Sequence, residues 1–192
     1  FPVWEHPYKF DVICRPDLIP EGTQVVNNLQ LGRVLTGEQK LKTPIKSMMC
    51  WNTNPVTQST ETDKIIEGLS REDLFLVSAD HFISDTAAYA DILLPASMGA
   101  EMEDMILSWG HLYLTYNAKC VESPGEAISN NEIFRRLAKR LGFEEDNFKW
   151  NDTECLENYV DWDSPACEGI DLDYMKKHGY ARLTVGTKDN RA

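Results

Sequence analysis

The sequence holds no CxxC pair, no GxGxxG, no GxxxxGK[S/T] and no apolar run long enough to cross a membrane. Without paired cysteines neither a zinc knuckle nor an iron–sulfur motif is supported. The five cysteines (Cys14, Cys50, Cys120, Cys155 and Cys167) are widely spaced and odd in number, which suits reduced, mostly buried thiols in a cytoplasmic protein. Without the glycine fingerprints neither the usual NAD site nor a P-loop is supported, and the glycines are too dispersed to cradle a diphosphate. His6, His81, His111 and His178 show no metal-ligand spacing. Basic charge is scarce, with 19 Lys and Arg against 31 Asp and Glu and a net charge of -12. That mean field repels nucleic acid, although a local basic pocket could still hold a dinucleotide. No signal peptide is visible. The chain opens at Phe1 without an initiator methionine and closes on TKDNRA, which reads as a processed product or a piece of something longer.

What is present suits a globular chain. Its 192 residues, 42% of them apolar, suffice for one good core and a small appendage. The organising stretch is Leu74–Pro95, LFLVSADHFISDTAAYADILLP. An apolar run ends in Ser78 and is followed by Asp80; Ser84, Asp85 and Thr86 can cap a brief helix through Ala90; Ile92 to Leu94 then forms a second apolar run stopped by Pro95. Strand, polar loop, helix and strand in this rhythm predict a mostly parallel sheet. Ligands bind such sheets beyond the carboxyl ends of the strands, which directs attention to Asp80 to Ser84.

Elsewhere, Tyr8 to Cys14 reads as a short edge strand, and Thr23 as the cap of a helix over Val25 to Leu35 that Gly32 weakens and Gly37 ends. Ile45 to Trp51 is a strand, and Asn52-Thr53-Asn54-Pro55 is a sharp turn. A helix from Ser59 or Thr60 to Leu69, with Thr60 and Asp63 at capping-box spacing, completes a crossover to the Leu74 strand. Leu112 to Asn117 alternates as a half-exposed strand. Ser129 or Asn130 caps a helix over Asn131 to Leu141 that carries Ile133, Phe134, Leu137 and Leu141 on one face and ends at Gly142. Between Phe143 and Tyr174 eleven carboxylates face one lysine, yet aromatic and aliphatic residues interrupt them. This predicts short helices or loops covering a neighbouring surface. Tyr180 to Val185 forms a final strand.

Three constellations invite chemistry. Ser108 and His111 form a nucleophile pair only if something orients the base, and no nucleophile elbow surrounds the serine. Glu101, Glu103 and Asp104 either serve acid–base work or form a solvated rim above Met98, Met102 and Met105. Asn54 and Asp80 end successive parallel strands and would approach the same edge, with turn and ligand roles both open for Asn54. Composition and spacing therefore lead to an α/β domain with a polar crevice.

Four segments in a fixed order carry a resemblance. Ile45–Pro55 (IKSMMCWNTNP) resembles the strand and G-x-N-P loop of the molybdopterin oxidoreductases of the dimethyl sulfoxide reductase superfamily. Leu74–Pro95 resembles their aspartate, aromatic, T-x-T-A and A-D-[VI]-[VL]-L-P hallmark. Glu101–Gly110 stands at their E-x-x-G segment, and Pro124–Gly142 resembles their P-x-G-E-A helix. Lys42–Gly142 is covered well, Asn27–Gly37 reasonably and the acidic tail only in part.

The resemblance implies an α/β, three-layer variant dinucleotide-binding (Rossmann-like) domain with a mostly parallel sheet. Residues 1–41 are a lead-in with a first helix. Residues 42–142 are the molybdopterin guanine dinucleotide-binding domain. Residues 143–192 are an acidic extension that packs on the domain or on a missing neighbour. It implies cofactor contacts at Asn52, Asn54, Ala79, Asp80, Thr86, Met102 and Asn130, with Asp80 on the guanosine and Thr86 stabilising its turn. Met102 stands where some relatives place a cofactor-contacting lysine, and Asn130 where the family has aspartate. No catalytic residue or metal ligand is implied in this chain. Molybdenum or tungsten, iron–sulfur cysteines, the metal ligand and a C-terminal barrel belong to the rest of a parent enzyme. Its partners are those domains and a small-molecule substrate, with neither nucleic acid nor membrane, and the isolated piece is inactive. Trp51, Asp85 and Met105-Ile106 depart from the family pattern. The alternatives are a cofactor-free structural or interaction domain with an acidic partner surface, and a small nucleotide-binding enzyme that uses Asp80.

Overall fold

The computed structural model describes residues 7–107 and 111–184. They pack as two compact units, one of residues 20–96 and the other built from both ends of the chain, 1–19 with 97–192. The boundary after Ala96 falls inside the 42–142 segment that the sequence reading treats as one domain.

The chain begins with helix α1 (Phe10–Cys14), where an edge strand was expected. Only Tyr8 finds a strand partner, an antiparallel bridge to Val160. The following amides close local turns instead, Ile13 N–H donating to Lys9 O at 3.1 Å and Arg15 N–H to Asp11 O at 3.3 Å, because backbone without a neighbouring strand must satisfy itself.

The 20–96 unit is α/β. Helix α2 (Leu31–Leu35) is shorter than the sequence suggests. Thr23 does not cap it; its hydroxyl donates to Pro20 O at 2.7 Å, and Asn27 Oδ1 instead accepts from Leu29 N–H at 3.0 Å to start a single 3-10 turn. Strand β1 (Ser47–Trp51) leads through helices α3 (Pro55–Gln58) and α4 (Thr62–Leu69) to β2 (Phe75–Asp80), and a 3-10 turn at Ala87–Tyr89, in place of the helix expected there, leads on to β3 (Ile92–Pro95). The three strands are parallel in the order β1-β2-β3, with Trp51 opposite Ala79 and Asp80 opposite Pro95. The expected Thr60–Asp63 capping box does not form. Glu61 occupies the N-cap of α4 in the left-handed region, φ 58°, with no side-chain cap, while the Thr60 hydroxyl donates to Leu29 O at 3.2 Å. The Arg33 guanidinium, joined by Lys64, holds the Glu61 carboxyl down to about 2.

Leu35, Cys50, Ile65, Leu69 and Leu76 form the core between the helices and one sheet face. The opposite face carries Trp51, Phe75 and Ile92, which are 45%, 47% and 44% exposed. A second helical layer over that face is not supplied by residues 20–96. Gly32, expected to weaken its helix, has a packing role. A Cβ there would meet Lys64 Cβ at 2.9 Å, and one on Gly68 would meet Leu35 Cβ at 2.3 Å. The two glycines let α2 and α4 cross in near backbone contact.

The second unit is organised on an antiparallel sheet of β4 (Asp104–Leu107), β5 (Tyr113–Asn117) and β6 (Tyr180–Arg182), in the order β4-β5-β6. Helix α5 (Asn130–Leu141) is capped by Ser129, whose Oγ accepts from Glu132 N–H, and ends at Gly142. Its expected apolar stripe is only partly covered: Ile133 is buried and Phe134 half-buried, whereas Leu137 and Leu141 are exposed. Helices α6 (Asp152–Tyr159) and α7 (Leu172–His178) show that the acidic region folds on this unit's own sheet. Leu156, Val160, Cys167 and Met175 join Met105, Leu114 and Ala181 in the second core. Hydrophobic spacing inside the tail carries this packing, and most of its carboxylates are exposed, with Glu145 and Asp152 among the half-buried ones. Of the three methionines expected beneath an acidic rim only Met105 is buried. Ser108, Gly110, Val185 and the TKDNRA end lie outside the described residues. Among the described residues no helix is long and apolar enough to cross a membrane.

Because overpacked cores lose about 1–3 kcal/mol, Gly68→Ala is expected to destabilise the 20–96 unit by at least that much. The shift of its urea unfolding midpoint checks this, against an exposed Gly99→Ala control, where a Cβ meets nothing within 4 Å.

Candidate functional site

Beyond Trp51 the chain must turn out of β1, and Asn52 does so in the left-handed region at φ 53°, a conformation asparagine tolerates better than most residues. Pro55 then opens α3 at its first position, where a missing N–H costs nothing. Gln58, one turn on, folds back: its Oε1 accepts from Asn54 N–H at 2.8 Å and from the Thr53 hydroxyl at 3.0 Å. No periodicity marks Gln58 in the sequence, and its part in the loop emerges only from the turn geometry.

Asn54 is tied to the next loop of the sheet. Its Oδ1 accepts from Thr86 N–H at 3.1 Å and from the Thr86 hydroxyl at 2.6 Å, while Thr86 Oγ1 accepts from Val56 N–H at 3.0 Å. Thr86 is fully buried. It therefore lies behind the loops and positions them, rather than facing a ligand. Ala79 is also buried, between Trp51 and Leu94.

Asp80 stands at the carboxyl end of β2 and is half-buried. Its Oδ1 accepts from His81 N–H at 2.7 Å, and its backbone carbonyl accepts from Ala96 N–H at 3.2 Å. Oδ2 accepts no hydrogen bond among the described residues. A fixed carboxylate with one free oxygen at the end of a parallel strand can accept from the N–H edge of a base or from a ribose. Asn52, Asn54, Ala79, Asp80 and Thr86 are thus gathered at one end of one sheet.

Met102 and Asn130 lie in the other unit. Met102 lines an open cleft of about 470 Å³, together with Glu101, Glu103, Ser129 and Arg135 among others; Asn130 is the first residue of α5, next to Ser129. The cations around this cleft are already engaged. Lys119 pairs with Glu122 at 2.6 Å, Arg136 with Glu132 at 2.7 Å, and Arg135 with both Glu132 at 2.8 Å and Asp152 at 3.0 Å. Among the described residues each cation lining the cleft has a carboxylate partner. Of the expected acidic trio, Glu103 is held below its ordinary range, burial being outweighed by the Thr153 and Tyr116 hydroxyls and the Lys176 charge, and Asp104 is raised above its own. Burial pushes the Asp104 carboxyl above the ordinary value of 3.8, with the Asp152 charge adding to the rise and the Met105 amide opposing it. Among the described residues no group of three or more His, Cys, Asp or Glu side chains is placed to hold a metal ion.

A family model described as molybdopterin oxidoreductase matches residues 18–140, more than half of the chain. The chain belongs to the molybdopterin oxidoreductase family. The matched residues include Asn54, Asp80 and Thr86 and all of the cleft lining except Asp152. Among similar curated proteins, the probable oxidoreductase YoaE of Bacillus subtilis is 38% identical over 177 residues, 91% of this chain and 26% of that protein. The F420-dependent formate dehydrogenase subunit alpha of Methanocaldococcus jannaschii is 31% identical over 135 residues, 70% of this chain and 20% of that one. Among solved structures, the acetylene hydratase from Pelobacter acetylenicus matches with a TM-score of 0.67 at 25% identity, over 85% of this chain and 22% of that one. The chain thus spans about a quarter or less of these molybdopterin-family relatives, and its α/β fold is of their three-layer Rossmann-like kind.

Two outcomes follow from the geometry. Thr86→Val keeps the shape but leaves the Val56 amide without an acceptor, so a loss of about 1–3 kcal/mol is expected in chemical denaturation. For Asp104 a raised pKa means that the folded state holds the proton more tightly than the unfolded one. Its contribution is therefore favourable in acid and is lost as pH rises from 3.8 through the raised value. Unfolding measured across this window should show Asp104→Asn gaining on the wild type as pH rises and levelling off at neutral pH.

Proposed function

We propose that this chain forms part of the binding site for a molybdopterin guanine dinucleotide within a larger molybdenum or tungsten oxidoreductase. The observation that carries the reading is the free Asp80 oxygen at the end of β2, held by loops that Asn54 and Thr86 lock together. Guanine offers an N–H and an amino group side by side, a pair that one carboxylate matches. Asn52 and Asn54 line the approach from the β1 side, and the Ala79 backbone holds Asp80 at the strand end. For Met102 and Asn130, which belong to the other unit, the cofactor role is supported by the family resemblance alone. The diphosphate is neutralised by backbone amides and by groups of other domains, since the cations of the cleft are spent on Glu122, Glu132 and Asp152.

When bound, the cofactor's dithiolene-held metal supplies the electron or oxygen-atom transfer. The residues of this chain orient the dinucleotide and perform no bond-making step. Metal ligand, iron–sulfur cysteines and substrate pocket are assigned to the rest of the parent, and by itself the 192-residue chain is inactive. Relatives with this domain include proteins named for formate dehydrogenation and for acetylene hydration, which supports placing substrate choice outside it. The engaged cations favour one rival, a domain that keeps the fold without the cofactor.

Calorimetric titration of GDP into the chain separates the two. Saturable binding in the micromolar to millimolar range is expected, with a loss of about tenfold or more in Asp80→Asn. Equal binding by the mutant, or none by the folded wild type, supports the rival.

A further inference from the structure

Two large apolar side chains stand on the loop after β2, and the fold leaves both in water. Phe82 and Ile83 are 71% and 75% exposed, and neither belongs to a hydrophobic core. The backbone beneath them is nevertheless held. His81 N–H donates to Asp80 Oδ1 at 2.7 Å, Ser84 N–H to Phe82 O at 2.9 Å and Ala88 N–H to Ser84 O at 2.9 Å. Thr86, at the far end of the loop, is bonded to Asn54. An anchored loop thus carries an aromatic ring that the unit itself does not bury.

Phe82 follows Asp80 by two residues, which limits the separation of their Cα atoms to about 7 Å. A purine whose N–H edge meets the free oxygen of Asp80 therefore lies within reach of the ring. Such a base needs cover on its face. At an exposed carboxylate each hydrogen bond competes with water and yields only a modest net gain. An aromatic ring on the base adds stacking and removes apolar surface of both partners from water. Trp51 is placed differently. It is in register with Ala79, so it lies on the other face of the sheet from Asp80.

We propose that Phe82 is a further base-binding residue: its ring stacks on the guanine whose edge Asp80 holds. Asp80 then selects the base, and Phe82 contributes affinity that any purine shares. The proposal rests on the cofactor reading above, and the test separates the two. It concerns only the base end of the ligand and only residues of the 20–96 unit.

GDP and inosine diphosphate, which lacks the guanine amino group, are titrated calorimetrically into the 192-residue chain and its variants. Phe82→Leu keeps apolar bulk without the aromatic face, and at so exposed a position it is expected to leave the melting temperature unchanged. It is expected to weaken both nucleotides by about tenfold while keeping the preference for GDP. Asp80→Asn, by contrast, is expected to weaken GDP and erase that preference. Phe82→Tyr, which retains the ring, is expected to restore both affinities. At saturating GDP the guanine H8 proton is expected to shift to higher field in the ring current of Phe82. No such shift in the wild type overturns the proposal, and so does equal weakening by Phe82→Leu and Phe82→Tyr. Wild-type chain that binds neither nucleotide overturns the cofactor reading and this inference with it. GDP binding that is weakened by Asp80→Asn but unaffected by Phe82→Leu leaves the reading standing and removes only the inference.

Discussion

The hydrogen-bonded link between Asn54, Thr86 and the Val56 amide is the constraint on which the crevice depends. It joins positions 32 residues apart, one in the loop after β1 and one in the loop after β2. Both loops leave the same end of a parallel sheet, where backbone groups no longer have a strand to pair with. A buried threonine answers this from the loop after β2, its Oγ1 accepting from Val56 N–H and donating to Asn54 Oδ1 in the segment after β1. Asp80, between these loops, keeps one oxygen free because the surrounding backbone is satisfied elsewhere.

The two units reach their compactness by different means. In residues 20–96 the decisive feature is the absence of side chains: Gly32 and Gly68 allow α2 and α4 to approach until backbone meets Leu35 and Lys64. The other unit is tied together by residues 7–9, which bond to residues 159–161 and to Met105. Lys9 N–H donates to Tyr159 O at 2.8 Å, Asp161 N–H to Pro7 O at 2.7 Å, and Tyr8 OH to Met105 O at 3.1 Å. Its carboxylates stay largely on the surface, where the cost of their mutual repulsion is moderated by water and salt. The sheet face with Trp51, Phe75 and Ile92 is partly exposed, whereas parallel strands are normally covered on both sides. It agrees with a domain that occupies about a quarter or less of its relatives' length.

Legibility followed the range of the forces. Strands β1, β2 and β3 were readable because each is an apolar run bounded by proline, asparagine or aspartate, signals contained within a few residues. Helix α5 was readable from Ser129 to Gly142 for the same reason. The first helix was not, since Tyr8 to Cys14 is too short for either period to dominate, and its state turned on whether a partner strand was available. Thr60 and Asp63 had the right spacing for a cap, but Leu29 O competed for the threonine hydroxyl from 31 residues away.

By itself, then, the sequence determined the parallel βαβ rhythm, the position of Asp80 at a strand end and the family to which the four ordered segments belong, because each is written in local spacing and residue type. Tertiary structure alone decided that Thr86 lies behind the site instead of on it, that Arg135 also pairs with Asp152, and that Asn117 and Glu103 hold the turn that carries Met102. Those are properties of which groups are left without a partner after folding. No local pattern states that where the partners are distant in sequence, as Thr86 is from Asn54 by 32 residues and Thr153 from Glu103 by 50.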